Sequence, residues 1–296
     1  MADIAADYRA LREDSGAVDL PRDVVRVVGP DAFTFLQGQL SQDVAVPVGE
    51  SAWSFVLQPQ GKVVALLRVL RQADDAFLLD TEGGWGEAVV ERLLRFKLRV
   101  KCEIEPLAWR CVAVRGPEAH DVVAGGTGTV AAADWPGLPG VDLLGEAPSA
   151  PPGVRACSLE AYETVRIEAG IPAMGRELDD RTIPAEAGVV ERSVSFTKGC
   201  YTGQELVARI DSRGGNVPRR LRGIVVTGEG RPPSGATVRF EDRDVGKLTS
   251  VAESPALGAP VALAYVGRAV VPPADVTVVW EGGSAPARVQ ALPLVP

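Results

Sequence analysis

Histidine is almost absent from this sequence, because His120 is the only one in 296 residues. A Ser-His-Asp triad, a histidine-rich metal site and most acid–base schemes based on imidazole are excluded unless His120 itself takes part. This histidine follows Gly-Pro-Glu in a predicted short helical turn. A lone histidine there is more often a surface or core residue than a catalyst.

Cysteine is also scarce, with four residues at positions that form no Cys-x-x-Cys motif. This spacing argues against a disulfide framework and a structural zinc site, and no metal site is predicted. Cys102 and Cys111 alternate with apolar neighbours in predicted strands, so we expect both thiols to be buried and inert. A reducing cytoplasm is the expected compartment.

The sequence has no apolar run of the roughly 20 residues that a membrane-spanning helix requires. Its first residues resemble neither a secretory signal nor a transit peptide. The formal net charge of −8 is the opposite of the basic excess that nucleic-acid-binding proteins usually carry. We therefore expect direct contact with neither a membrane nor a nucleic acid.

The length and the 46% hydrophobic content allow two or three domains with full cores. An amphipathic helix at the start is followed by a strand and by a helix over residues 31–40. Residues 51–115 predict a β-hairpin, further strands and a helix over 85–96, which together form an α+β unit with an antiparallel sheet. From residue 221 onward, short strands separated by glycine and proline predict an antiparallel barrel or sandwich.

The stretch 196–209 concentrates reactive and charged side chains. Thr202 and Glu205 have the T-x-x-E spacing of a capping box, which predicts a helix that begins at Gly203. Cys200 would then lie just before a positive helix end and two residues after the ammonium group of Lys198. Both neighbours favour the thiolate, so the stretch predicts an accessible and readily deprotonated cysteine.

A second candidate lies in a helix predicted from Ser158 as N-cap to Ala169, with Gly170 at the C′ position that ends the helix. Glu168 falls near the end of this helix, where a carboxylate opposes the helix dipole, although an ordinary salt bridge would also explain it. Further along, four arginines form either a basic patch that suits a carboxylate or phosphate ligand or an ordinary solvated turn. They are Arg213, Arg219, Arg220 and Arg222.

These motifs and their order resemble those of the YgfZ-type folate-binding proteins. Lys-Gly-Cys-Tyr-Thr-Gly-Gln-Glu at 198–205, followed by Leu-Val-Ala-Arg, is similar to the signature of that family. Gly-Pro-Asp-Ala at 29–32, Gln-Gly-Lys at 60–62, Arg-Ile-Glu-Ala-Gly-Ile-Pro at 166–172 and Pro-Ala-Glu at 184–186 occur in the right order. Relatives of the family are the iron–sulfur maintenance factors of mitochondria and, more distantly, the aminomethyltransferase (T-protein) of the glycine cleavage system.

The resemblance covers nearly the whole chain and implies an α+β fold of three subdomains around a central channel that holds tetrahydrofolate. The discontinuous folate-binding domain would comprise residues 1–49 and 116–215, with a ferredoxin-like α+β subdomain inserted at 50–115. A small antiparallel β-barrel would occupy residues 216–296.

The resemblance also implies a set of site residues. By similarity, Glu168 would accept paired hydrogen bonds from the pterin ring, and Cys200 would be the reactive thiol. Further contacts to the cofactor would come from residues of the signature. These are Lys198, Tyr201, Gln204, Glu205 and Arg209.

The main function implied is that of a tetrahydrofolate-binding accessory protein. It would support assembly or repair of iron–sulfur clusters in transiently bound client enzymes, including tRNA-modifying enzymes. One cysteine in the motif cannot hold a cluster alone, since four thiolates are usual. A third possibility is a folate-sensing scaffold without catalysis, in which Cys200 only packs in a tight turn.

The alternative from another class is a folate-dependent aminomethyl transferase or demethylase. The T-protein has an aspartate near folate in a stretch that starts with Asn-Ala, whereas this chain has Asp-Thr-Glu-Gly-Gly at 80–84. Glu87 is the nearest acid at the position of that aspartate, so Glu87 or Asp80 would have to replace it. The sequence therefore leaves open whether the protein is an enzyme.

Overall fold

The structure is a computed structural model that describes residues 3–296. A first sheet consists of β1 (Gly16–Leu20), β7 (Arg110–Arg115), β8 (Thr127–Ala132), β9 (Gly140–Ser149) and β10 (Arg155–Ala156). Its strand order is β10-β1-β7-β9-β8, and only the β1–β10 pair is parallel.

A second sheet is antiparallel throughout and has the strand order β3-β4-β5-β2-β6. Its strands are β2 (Arg22–Val28), β3 (Ser51–Leu57), β4 (Val63–Ala73), β5 (Ala76–Glu82) and β6 (Glu103–Leu107). One cluster of buried side chains joins the second sheet, β1 of the first sheet and most helices of this part of the chain.

The helices are α1 (Ile4–Glu13), α2 (Ala32–Gln39), α3 (Gly86–Phe96), α4 (Ala119–Val122), α5 (Leu159–Ala169), α6 (Val190–Ser193) and α7 (Gln204–Ser212). As predicted, the Ser158 side chain caps α5 by accepting from the Ala161 N–H, and Gly170 ends the helix at φ +75°. None of the helices within residues 3–296 combines the length and the apolar character needed to cross a membrane.

The C-terminal part is a closed antiparallel barrel in the order β11-β14-β13-β12-β15-β16. Its strands are β11 (Arg219–Val226), β12 (Thr237–Phe240), β13 (Arg243–Ser254), β14 (Ala259–Gly267), β15 (Ala274–Trp280) and β16 (Gly283–Gln290). Small and β-branched side chains such as Ile224, Val238, Val278 and Val289 fill its interior. The predicted fold class, α+β with a C-terminal antiparallel barrel, is confirmed.

Strand pairing crosses the subdomain boundaries that the resemblance implies. β2 precedes residue 50 but pairs with β5 and β6, and β7 precedes residue 116 but pairs with β1 and β9. The chain changes sheets between β1 and β2 at Pro21, which has no backbone N–H to continue the first ladder. The domain boundaries themselves stay a prediction.

The predicted capping box at Thr202 is wrong. Helix α7 begins at Gln204, its N-cap is Gly203 at φ +87°, and no side chain caps it. A Cβ atom on Gly203 would lie 2.6 Å from the Gln58 carbonyl oxygen and 2.8 Å from the Leu57 Cβ. The close approach to the β3–β4 turn thus requires glycine, and Thr202 instead donates its backbone N–H to the Gly38 carbonyl.

We expect Gly203→Ala to lower the free energy of unfolding by about 2–5 kcal/mol, because a left-handed non-glycine residue costs about 1–2 kcal/mol and the clash adds about 1–3 kcal/mol. Gly188 is the matched control, since it has φ +75° and open space around its Cβ position. Gly188→Ala should lower the free energy of unfolding only by the cost of the left-handed backbone conformation, about 1–2 kcal/mol. Chemical denaturation measures both, and equal losses would contradict the close-approach argument.

Candidate functional site

Arg68 connects the two sheets through buried ion pairs. It lies in an apolar stretch of β4 and is 1% exposed. Its Nη2 atom is 2.6 Å from Asp80 Oδ2 on β5 and 2.8 Å from Asp142 Oδ2 on β9, and its Nη1 donates to the Ala132 carbonyl at 2.8 Å. One guanidinium therefore holds carboxylates of both sheets.

Arg22 and Arg115 extend this contact into a buried network with Arg68, Asp80 and Asp142, which we call the arginine–aspartate network. Arg22 Nε donates to Asp80 Oδ1 at 2.6 Å, and Arg115 Nη1 lies 2.8 Å from Asp142 Oδ1. Burial opposes the charged form of Asp142, but the three arginines outweigh it and hold the pKa of that carboxyl well below its usual range.

A cavity of about 260 Å³ lies beside this network, between the two sheets and α5, and we call it the central cavity. Trp53, Trp135 and Tyr162 supply its aromatic walls. Its lining also contains seven charged side chains from four strands, α5 and the loop that follows α5. They are Arg22, Glu82, Arg115, Asp142, Glu163, Arg166 and Arg176.

Most of these charges are already paired with one another. Glu163 on α5 accepts from Arg166 at 3.0 Å and also from Arg176. These arginines lower the pKa of Glu163 although burial opposes them. The Arg166 guanidinium lies 3.3 Å from Glu177. Burial lowers the pKa of Arg166, but Glu177 and Glu163 outweigh this effect and raise it. Glu163 therefore stays ionised, as Asp142 does.

Glu82 is the exception among the charged residues of the cavity. It ends β5, and its Oε1 accepts only from the Met174 backbone N–H at 3.1 Å. Among residues 3–296, no side chain donates to Oε2 or forms an ion pair with Glu82. Burial raises the pKa of Glu82, and the charges of Arg22, Arg166 and Arg176 offset only part of this effect.

Neither of the acids that were predicted to replace the T-protein aspartate, Asp80 and Glu87, lines the central cavity. Asp80 is 2% exposed and bound by Arg22 and Arg68, so it is committed to the arginine–aspartate network. Glu87 lies exposed on α3, next to Asp23 at the surface, and does not line the central cavity. Glu82 is the acid of this segment that reaches the cavity, and the sequence analysis missed it.

Glu168 is fully buried and its carboxylate is already bonded. It accepts from Tyr8 at 3.0 Å, from Arg12 Nε at 2.9 Å and from Ser254 at 2.5 Å. Burial and this negative charge raise the pKa of Tyr8 to about 12. Glu168 does not line the central cavity, and its contact with a pterin ring stays a prediction.

The signature residues lie on α7 and the turn before it, and none of them lines the central cavity. Cys200 is an exposed free thiol. Tyr201 is buried, which raises its pKa to about 12, and its backbone N–H donates to Gln204 Oε1 at 3.1 Å. Glu205 and Arg209 are exposed. Their predicted contacts with the cofactor stay predictions.

Lys198 contacts the C-terminal end of α2 with its ammonium group. Its Nζ donates to the carbonyl oxygens of Leu40 at 2.8 Å and Gln42 at 2.9 Å. Burial lowers the pKa of Lys198 to about 8, although Asp43 opposes the shift. The lysine thus binds backbone oxygens, whereas the sequence analysis paired it with the thiol of Cys200.

The chain is similar to known proteins in sequence and in fold. Residues 1–136 match the GCVT N-terminal domain, and residues 219–296 match the glycine cleavage T-protein C-terminal barrel domain. The crystal structure of glycine cleavage system aminomethyltransferase T from Bartonella henselae has the same fold, with a TM-score of 0.86 and 22% identity over 99% of this chain and 89% of that one. The chain belongs to the T-protein-like superfamily.

Two curated relatives of this T-protein-like chain are named as an aminomethyltransferase and a probable aminomethyltransferase. An aminomethyltransferase of Streptomyces avermitilis is 29% identical over 97% of this chain and 88% of its own length. A probable aminomethyltransferase of Haloarcula marismortui is 29% identical over 99% of this chain and 90% of its own length. The prediction of an iron–sulfur accessory protein with client enzymes is therefore wrong, and these relatives support the alternative reading.

We expect Arg68→Ala to lower the free energy of unfolding by about 3–5 kcal/mol, because it leaves Asp80 and Asp142 buried with fewer cations. The control is Arg26→Ala, which removes an ion pair with Glu105 whose side chains are 45% and 55% exposed. That change should cost less than about 1 kcal/mol. Chemical denaturation compares the two, and a similar loss for both would contradict the role of Arg68.

We expect the Lys198 side chain to titrate near pH 8, followed by the NMR chemical shift of its ε-carbon and assigned with Lys198→Arg. An unfolded lysine titrates near pH 10.4, so the unfolded state binds more protons between about pH 8 and 10. The contribution of Lys198 to stability should therefore rise with pH in that window. A titration midpoint near 10.4 in the folded protein would contradict burial as the cause.

Proposed function

We propose that this chain binds tetrahydrofolate in the central cavity and transfers a one-carbon unit to it from an aminomethyl donor. The observation that carries the proposal is the central cavity itself, with three aromatic walls and a dense set of arginines and carboxylates. Relatives named aminomethyltransferase and probable aminomethyltransferase, which match this chain over 88% and 90% of their own length, support the reaction class. Tetrahydrofolate is the cofactor of the T-protein family, so that prediction is confirmed at the level of the family.

The residues of the cavity suit a pterin ring. Arg115 Nε is a buried polar atom without a hydrogen-bond partner among the described residues. It offers a donor beside the aromatic walls, next to the Asp142 carboxylate that Arg115 Nη1 approaches at 2.8 Å, and a pterin edge presents complementary acceptors. The volume of about 260 Å³ lies below the roughly 300–1,000 Å³ typical for complete ligands. We therefore propose that the cavity holds the ring while the tail extends outside.

Two finer assignments belong to the same proposal. The 198–205 signature suggests a branch of the superfamily close to the YgfZ-type folate-binding proteins. Its residues lie on α7 and the turn before it, outside the central cavity, so on this proposal they do not contact the pterin ring. The four free cysteines suit a reducing compartment, and we propose the cytoplasm.

Calorimetric titration with tetrahydrofolate tests the proposal. Wild-type protein should bind saturably, and Tyr162→Ala should weaken binding about two- to twelvefold, because loss of ring stacking costs about 0.5–1.5 kcal/mol. Cys200→Ser and Glu87→Gln should bind within about twofold of wild type, since neither residue lines the cavity.

Absence of saturable binding by the wild type would contradict the proposal, and an unchanged affinity of Tyr162→Ala would move the site elsewhere. Transfer is measured with an aminomethyl thioether prepared from a small thiol, formaldehyde and ammonia. Release of ammonia that depends on tetrahydrofolate is the expected result.

A further inference from the structure

Glu82 differs from every other carboxylate of the central cavity in having no cation of its own. Arg22 lies directly opposite Glu82 across the β2–β5 ladder, yet its guanidinium is bound to Asp80. Arg166 and Arg176 are bound to Glu163. Each arginine that faces Glu82 is therefore committed to another acid.

The second oxygen of Glu82 is also open. The Met174 backbone N–H fixes Oε1, and among the described residues nothing donates to Oε2. The charged and titratable groups that face the cavity come from every element around it. They are Arg22 on β2, Arg115 on β7, Asp142 on β9, Tyr162, Glu163 and Arg166 on α5, and Arg176 after α5.

We propose that Glu82 is the proton carrier of the central cavity, with Oε2 exchanging a proton with bound substrate while Met174 holds Oε1 in place. The proposal rests on the proposed function. It is consistent with the raised pKa of Glu82, since a carboxyl without a cation in a buried site favours its neutral form. Asp142 and Glu163, held ionised by arginines, cannot serve as donors near neutral pH.

Tetrahydrofolate supplies the acceptor nitrogen when it is bound. Glu82 gives its Oε2 proton to the amine nitrogen of the aminomethyl donor as the carbon–nitrogen bond breaks. The electron pair of that bond leaves with the nitrogen, which departs as ammonia. Glu82 then takes the proton that the acceptor nitrogen loses on bonding to the one-carbon unit, so the carboxyl is restored. Release of the one-carbon unit also requires the carbon–sulfur bond of the donor to break. The electron pair of that bond leaves with the sulfur, which takes the proton lost by a second acceptor nitrogen and departs as the free thiol, so no oxidant or reductant is needed.

The first test needs no cofactor. In the wild-type protein alone, the NMR shift of the Glu82 δ-carbon should titrate with a midpoint above the ordinary value of about 4.3, assigned with Glu82→Gln. A midpoint at or below that value would overturn the proposal whether or not the protein binds folate.

The second test uses the transfer assay with the aminomethyl thioether and tetrahydrofolate. Glu82→Gln keeps an oxygen that can accept from Met174 but cannot carry the proton, so kcat should fall about 10²–10⁴-fold with KM little changed. The wild-type kcat should decrease as pH rises through the pKa of Glu82, and this decrease should be absent from the residual activity of Glu82→Gln. Glu87→Gln is the matched control and should remain within about twofold of wild type.

The outcomes separate the two proposals. Wild-type protein that neither binds tetrahydrofolate nor releases ammonia contradicts the proposed function, and the NMR titration still decides the state of Glu82. Wild-type turnover with a Glu82→Gln variant of unchanged kcat and pH profile overturns the proton carrier alone. Calorimetric binding of tetrahydrofolate by Glu82→Gln shows that the variant is folded, so a loss of kcat cannot be assigned to unfolding.

Discussion

The position of Arg68 between two sheets is the contact on which the central part of the molecule depends. Each sheet contributes one aspartate to this guanidinium, Asp80 from β5 and Asp142 from β9. Taking these charges out of water costs several kcal/mol per ion, and the cost is offset only if every partner is present in good geometry. The network therefore tolerates only one relative placement of the two sheets, and that placement creates the central cavity beside it.

The same network sets the electrostatics of the cavity. Asp80 lies two residues before Glu82 on β5, so both side chains point to the same face of the strand. Asp80 binds two arginines and leaves Glu82 with none. One strand thus presents an acid that is bound by two arginines and, two residues further, an acid whose pKa is raised by burial.

Local patterns predicted the elements whose cause is local. The cap at Ser158, the left-handed Gly170 and the short strands of the barrel follow from neighbouring residues, and the structure contains all of them. The capping box at Thr202 failed because a distant segment, the β3–β4 turn, approaches Gly203 too closely for the predicted start. A local rule cannot include a contact that is made by residues more than 100 positions away.

The site was harder to predict than the fold for a related reason. Arg68 stands alone in the apolar run Val-Val-Ala-Leu-Leu-Arg-Val-Leu, and Asp142 stands alone in Gly-Val-Asp-Leu-Leu. A single charge with apolar neighbours on both sides signals a buried ion pair, but it does not name the partner. Glu82 was passed over for Glu87 because alignment to a family motif counts positions along a chain, whereas access to a cavity depends on which way a strand or helix faces.

The Glu168 carboxylate has two candidate roles, contact with a ligand and contact between parts of the chain. Its place near a helix end suggested a carboxylate kept for a ligand, since it opposes the dipole there. In the folded chain its oxygens join α1, through Tyr8 and Arg12, to the barrel, through Ser254. Tyr8 and Arg12 line an outer cleft, whereas Glu168 lines neither that cleft nor the central cavity. A ligand that bound the Glu168 carboxylate would have to break the hydrogen bonds that join α1 to the barrel through this residue. A ligand that bound Oε2 of Glu82 would displace no hydrogen bond from that oxygen.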